Sequence, residues 1–507
     1  MSEIRGFAAA RRARPLVILS WRSGGAVLRR YRSSGQATRS ERTPILLTGG
    51  KHEGGPSLRF GATRLRQLRG CEEIARAVEN VGCLYHRFMA EKVEQETAAR
   101  TVEANREQMR MAIFDLEQML PQEHQARAVW AYVGRLDLSR FYNAIRSREG
   151  KAGRPAVDPR IYLALWIEAM LDGVGSSRKI AHLCQYHLAY QWICGGVPIN
   201  YHSLSDFRNL ATDLLKGVLK QSVERLMRAG VVQIKQVSQD GMKVRAAAGA
   251  SSFRTRGKLE ELARQQVETL TREIEDEGGA SDKRDESART GAEQDRNERI
   301  KRALEEMEEA EARKRSDNGK KKTEARTSTT DPEARVMKMP DGGYRPAFNV
   351  HIATDVESMV VLAVEVNNEG TDLHAMLPLA EQIEADYDVR PEEWLADGGC
   401  TTVENIEKMS GRGCRVIAPL RERTNPDRKP SDPRPADSEA ILEWRARMET
   451  EQAKEAYKRR GATSECVNAH FRNQGLLRFL VRNAKKALAV ALMHAIATNM
   501  RREWALA

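Results

Sequence analysis

Residues 231–240 read Val-Val-Gln-Ile-Lys-Gln-Val-Ser-Gln-Asp, a β-branched run that predicts a strand closing on the carboxylate of Asp240. Further along, Phe348, Val350 and Ile352 alternate with Asn349 and His351, residues 354–358 have turn chemistry, and residues 359–366 are almost continuously apolar. The three segments predict an antiparallel meander. After it come a helix over about residues 371–386, a short apolar strand at Trp394, Leu395 and Ala396, a helix over residues 402–409 and a fifth strand over residues 414–418. A last helix, about residues 483–502, carries Leu488, Ala491, Leu492, Ala495 and Ile496 on one face and would close the core. The order β-β-β-α-β-α-β-α predicts an α/β fold with a mixed five-stranded sheet and flanking helices.

Two acids sit at strand ends in this scheme. Asp240 is one; Asp397 is the other, and Gly398 and Gly399 beside it leave room for a metal and a close-approaching backbone. A third acid stands in residues 457–472, Tyr-Lys-Arg-Arg-Gly-Ala-Thr-Ser-Glu-Cys-Val-Asn-Ala-His-Phe-Arg, whose second half has helical spacing. Val467, His470 and Phe471 mark one stripe, and Glu465, Ala469 and Arg472 another. Taken alone, Glu465 and Arg472 read as a solvated pair on a helix surface. Together with Asp240 and Asp397, Glu465 makes a set of three carboxylates able to converge on two divalent cations for in-line displacement at a phosphate.

These residues resemble the DDE transposases of bacterial insertion sequences, most closely the group named after insertion sequence 1182. The resemblance runs in matching order through Gly-Arg-Pro-Ala-Val-Asp-Pro-Arg at 153–160, Gly-Gly-Val-Pro-Ile-Asn-Tyr-His-Ser-Leu-Ser-Asp-Phe-Arg at 195–208, Gln-Asp-Gly-Met-Lys-Val-Arg at 239–245, Asp397-Gly398-Gly399 and the 457–472 block. It implies a ribonuclease-H-like catalytic domain with Asp240, Asp397 and Glu465 as catalytic, metal-holding acids. It also implies Tyr457, Arg460 and Arg472 as a polar set near DNA phosphates, two Mg²⁺ ions with Mn²⁺ able to substitute, and double-stranded DNA, both terminal inverted repeats and target, as partner. A homodimer in the synaptic complex and a bacterial, cytoplasmic, nucleoid-associated location follow in the same way. Two other functions remain open on the residues: a non-catalytic DNA-binding regulator, and a nuclease of the same fold without strand transfer.

Composition limits the rest. The chain has 507 residues, 30% of them charged, and no apolar run approaches the ~20 residues of a membrane span. Its formal charge of +12 lies in the first 70 residues, which hold 15 Lys and Arg against 3 acids, while the remainder balances at 68 against 68. DNA contact must therefore rest on local clusters. The seven cysteines include no Cys-x-x-Cys pair, which predicts free thiols rather than a zinc site or disulfide framework.

The domain reading is a basic leader over residues 1–70, disordered or arising from a misplaced start; an all-helical N-terminal DNA-binding domain over 71–230; the catalytic domain over 231–256 and 331–507; and an inserted, charged helical hairpin over 257–330. Within the helical domain Pro159 opens a helix, Ser176 caps the next, and another starts at Tyr201, spacing compatible with a helix-turn-helix. Arg178 and Lys179, with Lys243 and Arg245 beyond Asp240, are candidate phosphate contacts. His182, His187 and His202, among Tyr186, Tyr190, Trp192 and Tyr201, read as core or interface histidines rather than ligands. Residues 420–436, rich in Pro and Arg, predict an irregular basic loop beside the site.

Overall fold

The computed structural model describes residues 17–22, 25–30, 45–47, 107, 115–145, 147–148, 150, 155–275, 283–316, 324–422 and 427–506. Two compact units, Met1–Arg110 and Met111–Ala507, divide the chain. In the first, the strands β1 (Val17–Arg22), β2 (Gly25–Arg30) and β3 (Ile45–Leu47) form a sheet in the order β2-β1-β3, within a leader where no strand is expected. Cys71, Cys83 and almost all of residues 71–114, the start of the expected helical domain, lie outside the described residues.

The second unit opens with helices: α1 (Gln125–Gly134), α2 (Ser139–Ala144), α3 (Pro159–Leu171), α4 (Ser177–Tyr186), α5 (Leu188–Cys194), α6 (Tyr201–Leu210) and α7 (Thr212–Arg228). Their starts follow from capping chemistry. The Asp158 carboxylate accepts from the Arg160 amide with Pro159 in the first turn, Ser176 Oγ accepts from the Lys179 amide, and Asn200 Oδ1 accepts from the His202 amide. α3 is buried on nearly every side, from Leu163 to Met170.

The sheet begins with β4 (Gln236–Arg245). Two corrections to the expected strand apply here. It starts five residues late, because Ile234 takes φ 51° and breaks the extended run. It also continues past Asp240, because Met242 and Val244 alternate into the core, so Asp240 lies mid-strand. Next come the short β5 (Phe253–Arg254), α8 (Arg256–Glu275), α9 (Lys283–Ser316) and β6 (Thr327–Ser328); β5 pairs antiparallel with β6 and closes the base of the helical hairpin. Leu259, Ala303, Met307 and Ala325 form the hairpin's own small core.

β7 (Arg335–Lys338), β8 (Tyr344–Asp355) and β9 (Val361–Asn367) follow, then α10 (Met376–Tyr387), β10 (Glu393–Leu395), α11 (Val403–Gly411), β11 (Arg415–Ile417), α12 (Glu439–Glu449), α13 (Glu451–Arg460), a π turn (Gly461–Glu465), α14 (Cys466–Asn473) and α15 (Ala484–Leu506). The sheet has six strands, one more than expected, since β7 pairs with the first residues of β8. β8 pairs antiparallel with both β4 and β9, the predicted meander, while β10 runs parallel to β4 and to β11. One face of the sheet (Met242, Val244, Phe348, Val350, Ile352) shares a continuous core with α3, Phe471, Phe479 and α15; the other is covered by α10 and α11 around Trp394. Asn499 of α15 accepts from the Val361 amide and donates to the Val361 carbonyl, both at 2.8 Å, and so holds β9 from its side.

Candidate active site

The β4–β10 pairing decides which acids meet. Trp394 lies opposite Val237 and Leu395 opposite Ser238. Continued by two residues, this register sets Asp397 level with Asp240, on the same face because side chains alternate. Asp397 is exposed, just past the end of β10, where its carboxylate accepts from the Gly398 amide at 2.7 Å.

Asp240 is held more tightly. Its Oδ1 accepts from Arg460 Nη2 at 3.1 Å and from the Gly241 amide at 3.0 Å, and its Oδ2 accepts from Asn468 Nδ2 at 2.8 Å. Burial pushes the Asp240 carboxyl above its usual range, Arg460 opposes that, and the negative charges of Asp372 and Asp397 reinforce it.

Arg460 and Asn468 reach the same carboxylate because of the π turn between them. In an α-helix, residues eight apart lie about 80° out of line; a turn widened by one residue brings them back onto one face. Ser464, midway, hydrogen-bonds Ser238 on β4, so the widened turn is seated on the strand that carries Asp240. Tyr457 is half-buried one turn earlier, its ring 5.9 Å from the Arg460 guanidinium and its hydroxyl pKa raised first by burial and further by Asp397 and Asp240.

The other predicted residues lie on several elements. Glu465 is exposed at the end of the π turn, its Oε1 3.7 Å from where a Cβ on Gly461 would lie. Arg472 is exposed on α14. Arg178 and Lys179 are exposed in the first turn of α4, with Arg178 5.2 Å over the Tyr201 ring. Lys243 is half-buried, and Arg245 is exposed with its backbone paired to Leu477 and Phe479. His182, His187 and His202 are exposed rather than in the core, each ring packed on a tyrosine. Of the basic loop, Arg421 donates to the Thr401 carbonyl at 3.3 Å, while Arg423 lies outside the described residues.

A fourth acid, missed in the sequence, lies within electrostatic reach of Asp240 but on the opposite face of β4. Asp372 was expected inside a helix, but α10 starts only at Met376, with Pro378 in its first turn. The freed segment lays Asp372 against β4: a Cβ on Gly241 would lie 2.4 Å from its Oδ1. Asn349 Nδ2 donates to that oxygen at 2.6 Å, and the fully buried His351 ring lies 3.7 Å from it. The signal for it was Gly241 itself, since a glycine inside a strand marks a close approach.

The transposase DDE domain family matches residues 318–500, and the transposase domain family DUF772 matches residues 114–210. The chain carries a transposase DDE domain. Its sheet is accordingly ribonuclease-H-like. Asp397, Tyr457, Arg460, Glu465 and Arg472 lie within the DDE domain match, whereas Asp240 lies outside both matches and enters the site through the β4–β10 pairing. No curated protein and no solved structure matches the chain.

Among the described residues, no group of three His, Cys, Asp or Glu side chains is arranged to hold a metal ion. The chemistry of the donors nevertheless suits a hard cation. Asp240, Asp372 and Asp397 all act on Cys400, whose thiol is pushed up to about 12 by burial first and then by these three charges. Carboxylate oxygens are the ligands Mg²⁺ takes, and of these acids Asp240 and Asp397 share a face of the sheet, at the carboxyl end of β10. No helix among the described residues is long and apolar enough to cross a membrane.

Proposed function

We propose that the protein is a DNA transposase that binds the ends of an insertion sequence, cleaves phosphodiester bonds with two Mg²⁺ ions and joins the freed 3′-hydroxyl to target DNA. The observation that carries this is Asp240 on β4 level with Asp397 just past the end of the parallel neighbour β10, with Arg460 and Tyr457 close by, in a chain with a transposase DDE domain. Assignment to the insertion-sequence 1182 group rests on the resemblance alone.

Asp240 and Asp397 would hold the cations, with Glu465 as the third acid of the resemblance. When bound there, divalent cations would supply activation of the attacking oxygen and stabilisation of the leaving one. The chain's own residues do the rest. Arg460 neutralises Asp240 until DNA arrives, and its guanidinium can then pair with a phosphate oxygen. Asn468 orients the Asp240 carboxylate, and Tyr457 packs on Arg460 and limits its swing.

One observation favours the second reading, a DNA-binding regulator: Arg460 and Asn468 occupy both oxygens of Asp240. Cleavage separates the two. With a duplex carrying the inverted repeats that flank the gene, the full chain should nick and join in Mg²⁺. Asp240→Asn and Asp397→Asn should each abolish cutting while leaving end binding intact. Binding without any cutting by the wild-type protein would establish the regulator instead, and a variant that still cuts would remove its residue from the set.

A further inference from the structure

Arg208, at the end of α6, is 6% exposed, and burial is the one influence acting on its charge, lowering its pKa to about 10. Its guanidinium lies 5.1 Å over the Trp166 ring and donates to the Gly175 carbonyl at 3.3 Å and to Ser205 Oγ at 3.4 Å, while its Nε has no hydrogen-bond partner. A buried cation without a carboxylate is costly, on the order of several kcal/mol. It calls for an anion.

Arg208 lines a cleft of about 340 Å³ together with Ser205, Asn209, Thr330, Arg482 and Lys486, and the remaining lining is apolar. No carboxylate faces it. The nearest acids are held by backbone amides, Asp331 Oδ1 accepting from Asn483 at 3.0 Å and Glu333 Oε2 from Ala484 at 2.8 Å, and Asp331 offsets part of the Arg482 charge. Arg299 of α9 adds a further positive charge, acting on Arg482 as a like charge.

We propose that this cleft takes one phosphate of a DNA backbone, with Arg208 as the buried counter-charge and Arg482 and Lys486 at the rim. The assignment deepens the transposase reading and rests on it. Two features favour a backbone phosphate over a free anion. The cleft is at the small end of ligand pockets, which span about 300–1,000 Å³, and suits a phosphodiester. It is also formed jointly by α6, within the DUF772 match, and by residues 480–486, within the DDE domain match, so a strand lying there is gripped by both.

The test uses the full chain and a fluorescently labelled duplex of arbitrary sequence, with binding followed by anisotropy across a salt series. Because Arg208→Met removes a buried residue and can fail to fold, the decisive variant is the rim double substitution Arg482→Ala with Lys486→Ala, checked by thermal melting. Affinity should fall about tenfold, and the slope of log affinity against log salt should become shallower by about 1. Arg208→Lys, which keeps the charge but loses the fork, should give an intermediate loss. Wild-type binding that the rim variant leaves unchanged in affinity and slope overturns the cleft assignment and leaves the transposase reading standing. A wild-type protein that binds no duplex overturns both. Inorganic phosphate that raises the melting temperature of wild type but not of the variant, with duplex binding unaltered, also overturns the assignment, in favour of a free-anion site.

Discussion

At Gly241 one missing methyl group sets the approach of Asp372. A Cβ there would lie 2.4 Å from Asp372 Oδ1 and 2.8 Å from Cγ, and the carboxylate is held by Asn349. Gly241→Ala should therefore destabilise the fold by about 1–3 kcal/mol, the usual range for overpacking. Asp372→Ala in the same chain should recover most of that loss in urea denaturation, and additive effects would mean that the two residues do not meet. Glu168 is a second residue whose surroundings dictate an outcome. On the buried α3, 2% exposed and with Oε2 unpartnered, its pKa is raised to about 7 by burial first and by Asp172 second. The folded state therefore holds this proton more tightly than the unfolded chain, where the group titrates near 4.5. Stability from the protonated form is complete below that value and is lost as the pH rises through about 7. Glu168→Gln should melt higher than wild type at pH 8, by up to roughly 3 kcal/mol, and the gain should vanish at pH 4. An equal gain at both values would trace it to packing.

At the scale of elements, hydrophobic alternation made β8, β9 and the short strands before Asp397 and at Val416 legible, because each is bounded by turn residues and buries a defined face. Two features were not legible. Apolar residues at 231–234 look like a strand, yet Val232 and Ile234 are buried in the connection from α7, and burial alone does not reveal a positive φ. The π turn was hidden too, since a helix widened by one residue keeps helical composition while shifting every later side chain. That shift is why Asn468, not singled out in the sequence, reaches Asp240. Inserting one further alanine after Ala462 tests the role of the turn. It should rotate α13 by about 100° against α14 and part Arg460 from Asn468, because Val467 and Phe471 anchor α14 in the core. Strand cleavage should fall by about two orders of magnitude or more, as misplacement of about 1 Å can cost, with the circular dichroism spectrum unchanged. Retained cleavage would mean that the alignment of these two residues on Asp240 has no part in the chemistry.

Over the whole molecule, the chain from Met111 onward is one compact unit in which α3, the sheet and α15 share a core, and the helical hairpin is appended to it at β5 and β6. Phe253 pairs with Ser328 and Arg254 with Thr327, so the hairpin leaves and re-enters at adjacent positions. Its apolar contacts are largely its own, through Leu259, Ala303, Met307 and Ala325, while Arg335 pairs with Glu306 and Arg313 donates to Asn368 across the junction. Replacing residues 255–326 with an Asn-Gly turn keeps the β5–β6 register, since two-residue hairpins of that composition match the twist of paired strands. The shortened chain should fold, losing about 1–3 kcal/mol for the ion pair and hydrogen bonds removed at the junction, and should keep the Asp240 site intact. Its affinity for duplex DNA then decides what the hairpin does. A weaker, less salt-dependent complex would assign the hairpin's basic residues to phosphate contact, and unchanged binding by a folded shortened chain would leave the DNA contacts to the sheet and the N-terminal helices.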